Sequence, residues 1–190
     1  CDHAILLSDP KFGGADTWAT SYTIAQGIRK LQEIYGAIDL VIAGERATDG
    51  DTAQVGPGIA AWLDLPVATY VSSIDEITSD SIVVERLVEE GYQIVELRRP
   101  TLLTVVKEIA APRLPTLRGK RTARTVEIAR YGSDTLTLDP TYLGLKGSPT
   151  KVVKIATPKV TRGGTIVRAD DELSTGRAVE GLLAFLDDRG

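Results

Sequence analysis

Gly44-Glu-Arg-Ala-Thr-Asp-Gly-Asp-Thr-Ala-Gln-Val-Gly-Pro57 joins two segments of different periodicity. The residues before it, 38–43, form a short β-branched apolar run, and after it Val55, Ile59 and Trp62 recur at helical spacing. The stretch therefore predicts a crossing from a strand to a helix. Such a crossing places the first amides of the helix, with the positive end of its dipole, at the carboxyl edge of a sheet, where anionic ligands bind.

The start of this helix is predicted from its capping residues. Asp51 suits the N-cap, and Gln54, three residues later, completes a capping-box pattern. Gly50 and Gly56 permit backbone shapes and close approaches that a side chain would block, so phosphate would be bound mainly by backbone N–H groups. The residues alone leave open a well-capped loop that binds nothing, because Asp49 and Asp51 repel an anion unless they cap the helix or bind a ribose hydroxyl.

Composition excludes several classes of function. The chain has 190 residues, 43% of them hydrophobic and 25% charged, and its net charge of −4 argues against nucleic acid as a partner. One cysteine, Cys1, excludes a disulfide within the chain, and one histidine, His3, leaves little material for a zinc site or a Ser-His-Asp triad. No catalytic or metal-ligating residue is therefore predicted. No apolar run approaches the roughly 20 residues of a membrane helix, so a cytoplasmic location is expected.

The pattern along the chain predicts an α/β fold with a mainly parallel sheet flanked by helices. Residues 3–8 form a predicted strand, 16–36 a helix between Asp16 and Gly36, and 67–71 a strand after the second helix; this alternation favours a parallel sheet with right-handed crossovers. Residues 81–89 and 92–98 predict a hairpin. With the apolar strand 101–106 they predict an antiparallel extension of the sheet.

The remainder is predicted to be an extended region that contacts a partner. Residues 107–125 carry two prolines and six basic residues, which indicates a surface loop passing into a short basic helix. Beyond a polar, turn-rich stretch, 151–156 predict a strand, 161–164 a turn and 175–186 a helix with apolar residues on one side. We expect two domains, a nucleotide-binding domain over 1–130 and a C-terminal extension over 131–190. The apolar positions of the last helix are Val179, Leu182, Leu183 and Leu186.

Three segments resemble the small, beta subunit of electron transfer flavoproteins, and the resemblance extends over essentially the whole chain. Residues 49–57 are similar to the family's nucleotide loop, 84–104 to its signature, with Gln93 and Pro100 at the expected spacings, and 112–118 to its partner-recognition loop. The resemblance implies a Rossmann-like fold of the adenine-nucleotide-hydrolase kind. Family members usually have a strand-helix-strand unit before the residue matched by Cys1, and the chain contains no Met, so we expect a piece of a longer protein.

The resemblance also implies a heterodimer with a larger alpha subunit that carries an electron-transferring FAD. The beta subunit holds a second nucleotide, which is AMP in the respiratory branch and, in the electron-bifurcating branch, an FAD that accepts a hydride from NADH. The amino-acid sequence of the loop is more similar to that of the bifurcating and nitrogen-fixation-associated branch, so FAD is expected, with AMP as the alternative. Thr17 is a further candidate, although Asp16 beside it could merely cap a helix. The implied contacts in the loop are Gly44, Arg46, Ala47, Thr48, Asp49, Gly50, Asp51, Thr52, Ala53, Gln54 and Val55.

The basic loop is the expected docking site for redox partners. Leu117 matches the family's anchor residue for acyl-CoA dehydrogenases, and Arg113, Arg118 and Lys120 surround it. In the bifurcating branch the partners include NADH and ferredoxin or flavodoxin, and oxidation of NADH is expected only as part of such a complex. The alternatives are an ATP-binding domain of the universal-stress-protein kind and a purely structural subunit that holds AMP.

Overall fold

A computed structural model describes residues 3–48, 50–156 and 166–188. The chain divides into two compact units, Cys1–Val152 and Val153–Gly190, which are described separately.

Strands and helices alternate only in the first third of the chain, and strands then follow one another. The strands are β1 Ile5–Leu7, β2 Leu40–Gly44, β3 Val67–Ile77, β4 Ser81–Val88, β5 Gly91–Arg98, β6 Thr101–Val105 and β7 Ala129–Tyr131. The α-helices are α1 Thr17–Tyr35, α2 Val55–Leu63, α3 Leu117–Ala123 and α4 Glu172–Asp187. Short 3-10 turns occupy Pro10–Phe12, Lys107–Ile109 and Pro140–Tyr142.

Within the described residues, five strands form one mixed sheet in the order β2-β6-β3-β4-β5. β2, β6 and β3 are parallel, while β4 and β5 form the predicted hairpin and run antiparallel to their neighbours. The expectation that 101–106 belongs to the antiparallel extension was wrong, because β6 lies between β2 and β3 and is parallel to both. Its first four residues are buried, as is typical of a central parallel strand covered on both faces.

β1 also departs from the predicted arrangement. It was expected in the same parallel sheet as β2 and β3, but it pairs with β7 in a separate two-stranded parallel sheet. The local periodicity identified the strand, whereas its partner, more than 120 residues away along the chain, left no local signal.

The core lies on both faces of the main sheet. Leu102 of β6 packs with Ala25 of α1 and Ile59 of α2, so these two helices cover one face. The next residue, Leu103, belongs to a second cluster built from β3, β4 and β5, because successive strand residues point to opposite faces. The sheet thus holds α1 and α2 side by side over the end of β6.

Two predictions about the C-terminal part differ from the structure. Residues 151–156 were predicted as a strand, but no strand forms there within the described residues. The β-branched side chains of Val152, Val153 and Ile155 are all exposed. β-branched residues favour a strand, but a strand also needs a neighbouring strand to pair with. The predicted turn 161–164 lies outside the described residues.

The last helix is longer than predicted. α4 begins after Asp171, whose carboxylate accepts from the Ser174 amide in a capping box. Val179, Leu182, Leu183 and Leu186 are exposed on it. In the part of the chain that the structure describes, no helix is both long and apolar enough to cross a membrane.

Candidate functional site

The loop between β2 and α2 leaves the carboxyl edge of the sheet. Gly44 at the end of β2 pairs with Val105 of β6, and Val105 pairs with Val71 of β3, so the three parallel strands reach the same level. The Glu45 amide donates to the carbonyl of Val105 at 3.1 Å, and the Val106 amide donates to the carbonyl of Val71 at 3.0 Å. The predicted crossing is therefore confirmed, and its loop begins at the edge where ligands of α/β sheets bind.

The helix α2 begins three residues later than the capping pattern predicts. Gln54 occupies the N-cap and makes no side-chain capping bond, so the prediction of Asp51 as N-cap was wrong. Asp51 and Ala53 have left-handed backbones, with φ of 47° and 53°, and the Asp51 amide donates to the carbonyl of Ala47 at 2.9 Å. The chain turns here before the helix starts, because no helix can include residues in this conformation.

The first turn of α2 therefore offers uncapped amides. Gln54 directs its side chain to a neighbour, since Thr17 Oγ1 donates to Gln54 Oε1 at 2.9 Å. Intrahelical bonding starts at Gly58, whose amide donates to the carbonyl of Gln54 at 2.9 Å, and Pro57 has no N–H. The amides of Val55 and Gly56 are the first-turn donors that a ligand could use.

The N-terminus of α1 is different, because the Asp16 side chain caps it. Asp16 Oδ1 accepts from the amides of Trp18 and Ala19 at 3.0 and 3.1 Å, and Oδ2 accepts from the amide and hydroxyl of Thr150 at 2.9 and 2.8 Å. Partial burial raises the pKa of Asp16, but these hydrogen bonds outweigh it and hold the pKa below its ordinary value. The carboxylate thus occupies the amides that an anion would otherwise use.

Two glycines of α2 allow its N-terminal end to approach its neighbours closely. A Cβ built on Gly56 would lie closer than 3.0 Å to Thr104 Cγ2 of β6, and one on Gly58 closer than 3.0 Å to Ser21 Oγ of α1. Ser21 Oγ also donates to the carbonyl of Val55 at 3.2 Å. The expectation for Gly56 is confirmed. Gly50 has open space around it, and the left-handed backbone belongs to Asp51 and Ala53.

The loop carries charges of both signs. Arg46 lies 3.5 Å from Asp51 Oδ1 and 3.6 Å from Glu45 Oε1, and all three side chains reach solvent to some extent. Asp49, another predicted contact, lies outside the described residues. Arg46 therefore offsets part of the acidic charge that would repel a phosphate at this loop.

The predicted docking residues lie together on an exposed segment. Leu117 is the first residue of α3 and is 87% exposed, and Arg113, Arg118 and Lys120 are exposed around it. The short basic helix is confirmed. Leu114, which is 92% exposed, was missed, although a leucine among prolines and basic residues is itself a signal.

Two residues at the sheet edge were also missed. Thr104 of β6 is 1% exposed and contacts Gly56, and Tyr70 of β3 has a left-handed backbone with φ of 56°. Neither residue belongs to a recognisable sequence motif, since Thr104 has the pattern of an ordinary strand residue and Tyr70 lies in a β-branched run. Their position beside the loop is apparent only when the strand order is known, because it depends on β6 lying between β2 and β3.

The donor set at this edge suits the phosphate of a nucleotide. The uncapped amides of Val55 and Gly56 lie at the positive end of a helix dipole, and a side chain on Gly56 would displace that end from the sheet. The phosphate of a mononucleotide or a dinucleotide therefore fits the residues present at this edge.

Comparisons with known proteins identify a family that the chain resembles. Residues 1–134 match the electron transfer flavoprotein domain. The chain is 44% identical over 182 residues, 95% of its length, to the electron transfer flavoprotein subunit beta of Thermoanaerobacterium thermosaccharolyticum. It is 45% identical over 166 residues, 87% of its length, to subunit CarD of the caffeyl-CoA reductase-Etf complex of Acetobacterium woodii. It is 43% identical over 158 residues, 82% of its length, to protein FixA of Rhizobium meliloti. The chain spans 68%, 62% and 54% of the length of these three relatives, respectively.

Proposed function

The chain belongs to the electron transfer flavoprotein family, and from that premise we propose that it is the nucleotide-holding beta subunit of a heterodimeric electron carrier. Its partner is a larger alpha subunit that carries an electron-transferring FAD. The similarity to subunits named beta supports this assignment.

The single observation that carries the proposal is the uncapped first turn of α2 at the carboxyl edge of the sheet. The amides of Val55 and Gly56 bind the phosphate of the nucleotide, and the loop from Gly44 to Gln54 encloses it. Arg46 lowers the negative charge of the loop, while Thr17 holds Gln54 at the helix start. These residues bind and orient the ligand, and none of them acts as an acid, base or nucleophile.

FAD is the proposed ligand in this chain, and AMP is the second candidate. The amino-acid sequences of the loop at 49–57 and of the following segment 66–71 resemble those of the bifurcating branch, and this favours FAD. FAD, when bound here, would supply the redox chemistry with NADH as the source of hydride, and the loop residues would hold it in place for electron transfer. AMP shares the adenosine phosphate that the first turn of α2 contacts, which is why the loop alone suits both.

Redox partners dock on the exposed basic segment. Leu117 enters an apolar pocket of an acyl-CoA dehydrogenase, and the surrounding charges of Arg113, Arg118 and Lys120 speed the encounter. The Acetobacterium relative is a subunit of a caffeyl-CoA reductase-Etf complex, and this similarity supports a CoA-ester-reducing or CoA-ester-oxidising flavoprotein as the partner. Ferredoxin or flavodoxin accepts electrons in the bifurcating reaction, and the complex is cytoplasmic.

The proposal divides the chain into two functional parts. Residues 1–130 bind the nucleotide and carry the recognition loop 107–125, and residues 131–190 extend onto the alpha subunit. The exposed apolar side chains of α4, from Val179 to Leu186, support such a role because an unpaired apolar stripe needs a partner.

Comparison of ligands that differ in one group tests the proposed site. Titration of the purified protein with AMP, FAD and adenosine, followed by calorimetry, should show that AMP and FAD compete. Adenosine should bind at least about tenfold more weakly than AMP, since it lacks the phosphate held by charge-assisted bonds. Equal affinity for adenosine and AMP, or no binding of either nucleotide, would contradict the proposal.

A further inference from the structure

Tyr70 has a backbone conformation that tyrosine rarely adopts. Its φ of 56° lies in the left-handed region, which costs a bulky residue free energy. Neighbouring strands hold it there from both sides. The Arg86 guanidinium of β4 donates to the carbonyl and hydroxyl of Thr69 at 3.0 and 2.8 Å, and the Tyr70 amide donates to Thr104 Oγ1 of β6 at 3.2 Å. The register of β3 against β6 shifts at this point.

Three of the four left-handed residues other than glycine that the structure describes lie at the edge of the sheet that holds the proposed site. The four are Asp51, Ala53, Asp64 and Tyr70. Asp64 is the C-cap of α2, where this conformation is ordinary. The other three belong to the loop before α2 and to the end of the parallel part of β3. Strained residues of this kind cluster where a protein binds a ligand.

Thr104 connects Tyr70 with the first turn of α2. Its methyl group faces Gly56 so closely that a Cβ there would overlap it, and its hydroxyl accepts from the Tyr70 amide. Thr104 is buried, so Tyr70 and the uncapped amides of α2 both adjoin one fixed side chain. Tyr70 therefore lies next to the group that holds the phosphate.

The phenol of Tyr70 has no partner of its own among the described residues. It is partly buried, yet it makes no ring contact and no hydrogen bond there. Tyr22 is different, because its hydroxyl accepts from the Asp139 amide at 2.7 Å and its ring contacts Trp62 and Tyr142. A partly buried phenol that makes no hydrogen bond and stacks on no other aromatic ring within the described residues, beside a phosphate site, suits a ligand with a planar ring.

Building on the proposed function, we propose that Tyr70 is a ligand-contacting residue whose phenol ring packs against a planar nitrogen heterocycle of the bound nucleotide. Two residues of β3, Thr69 and Tyr70, lie opposite the single residue Thr104 of β6, and this bulge, held by Arg86 and Thr104, interrupts the regular alternation of the strand beside the proposed site. The heterocycle is the adenine that AMP and FAD share, or the isoalloxazine that only FAD has.

Two substitutions at Tyr70 separate the ring from the backbone. Tyr70→Phe keeps the ring, whereas Tyr70→Asn removes it and still tolerates the left-handed conformation. Calorimetric titration of each purified variant with AMP and with FAD should give a Kd within about twofold of the unaltered protein for Phe, and at least about tenfold weaker binding for Asn. A loss for both ligands assigns the contact to adenine, and a loss for FAD alone assigns it to isoalloxazine.

A matched control is Tyr92→Asn, because Tyr92 is 68% exposed on β5 and should leave both affinities unchanged. A second measurement does not depend on the folding of the Asn variant. The six tyrosines can be replaced by 3-fluorotyrosine, and the resonance that disappears in Tyr70→Phe identifies position 70. That resonance should shift on addition of AMP or FAD.

Two failures are distinguishable. Unaltered protein that binds neither AMP nor FAD refutes the proposed function. Protein that binds them with the same Kd in the Tyr70→Asn variant, or with no shift of the Tyr70 resonance, overturns only the role of Tyr70.

Discussion

Substitution of Gly56 by alanine tests how tightly α2 sits on the sheet. The new Cβ would lie closer than 3.0 Å to Thr104 Cγ2, whereas unstrained carbon atoms lie about 3.5 to 4.0 Å apart, so α2 or β6 must retreat by at least about 0.5 Å. Overpacking of this kind costs about 1 to 3 kcal/mol, and the gain of alanine over glycine in a helix offsets about 0.5 to 1 kcal/mol. Gly56→Ala should therefore lower the free energy of unfolding by about 1 to 2 kcal/mol.

Thermal and urea unfolding followed by circular dichroism measure this loss. For a chain of this size the Tm should fall by roughly 3 to 6 °C. Thr104→Ser removes the opposing methyl group and keeps the hydroxyl that accepts from the Tyr70 amide. Alone it should cost about 0.8 kcal/mol for one buried methyl group, but it should restore most of the stability when combined with Gly56→Ala.

The control is Gly181→Ala, because Gly181 lies in α4 with open space around it. That change should leave stability unaltered or raise it by about 0.5 to 1 kcal/mol. The reasoning fails if Gly56→Ala is as stable as the unaltered protein, or if the effects of Gly56→Ala and Thr104→Ser simply add.

Three further predictions address stability and docking. Asp16→Ala should lower the free energy of unfolding by about 1 to 2 kcal/mol in urea titrations, because it removes the cap of α1 and the bonds to Thr150; an unchanged midpoint would contradict this role. Hydrogen bonds from two backbone amides and a hydroxyl lower the pKa of Asp9 from 3.8 to about 2, so its stabilising contribution is complete above pH 3.8 and is lost as the pH falls through about 2. Asp9→Asn should therefore melt below the unaltered protein at pH 6 and together with it near pH 2, and a difference in Tm that does not change with pH would show that the charge plays no part. Leu117→Ala should slow electron transfer with an acyl-CoA dehydrogenase in stopped-flow assays without changing the bound nucleotide, whereas Ile94→Ala, at an exposed position on β5, should not; equal rates for both variants would exclude Leu117 as the anchor.

Local signals in the sequence predicted the elements that depend on neighbouring residues. The helix α1 follows Asp16 and stops at Gly36, whose φ is 94°, because a carboxylate cap and a left-handed glycine act within one turn. The hairpin of β4 and β5 was likewise predicted, since its strands are separated by two residues.

Features that depend on distant contacts could not be predicted in the same way. The position of β6 between β2 and β3 is a matter of which strands pair, and local periodicity is the same for either neighbour. The predicted start of α2 was wrong because Asp51 and Ala53 adopt left-handed backbones, and no glycine at these positions indicates that conformation.

The candidate site likewise contains residues that local sequence predicted and residues that depend on distant contacts. The loop from Gly44 to Val55 was found from its composition and its place between a strand and a helix. Tyr70 and Thr104 were not found, since they come from β3 and β6 and join the site only through the order of strands. Their role depends on packing between segments that are far apart in the chain.

A count of bound nucleotides tests the central claim most directly. The protein is purified together with its alpha subunit, the nucleotides are released with acid, and FAD and AMP are quantified by chromatography. The account predicts two FAD per heterodimer, one of them held by this chain, and one FAD with one AMP would assign the second candidate ligand instead. One FAD with no AMP, which leaves this chain without a nucleotide, would contradict the account.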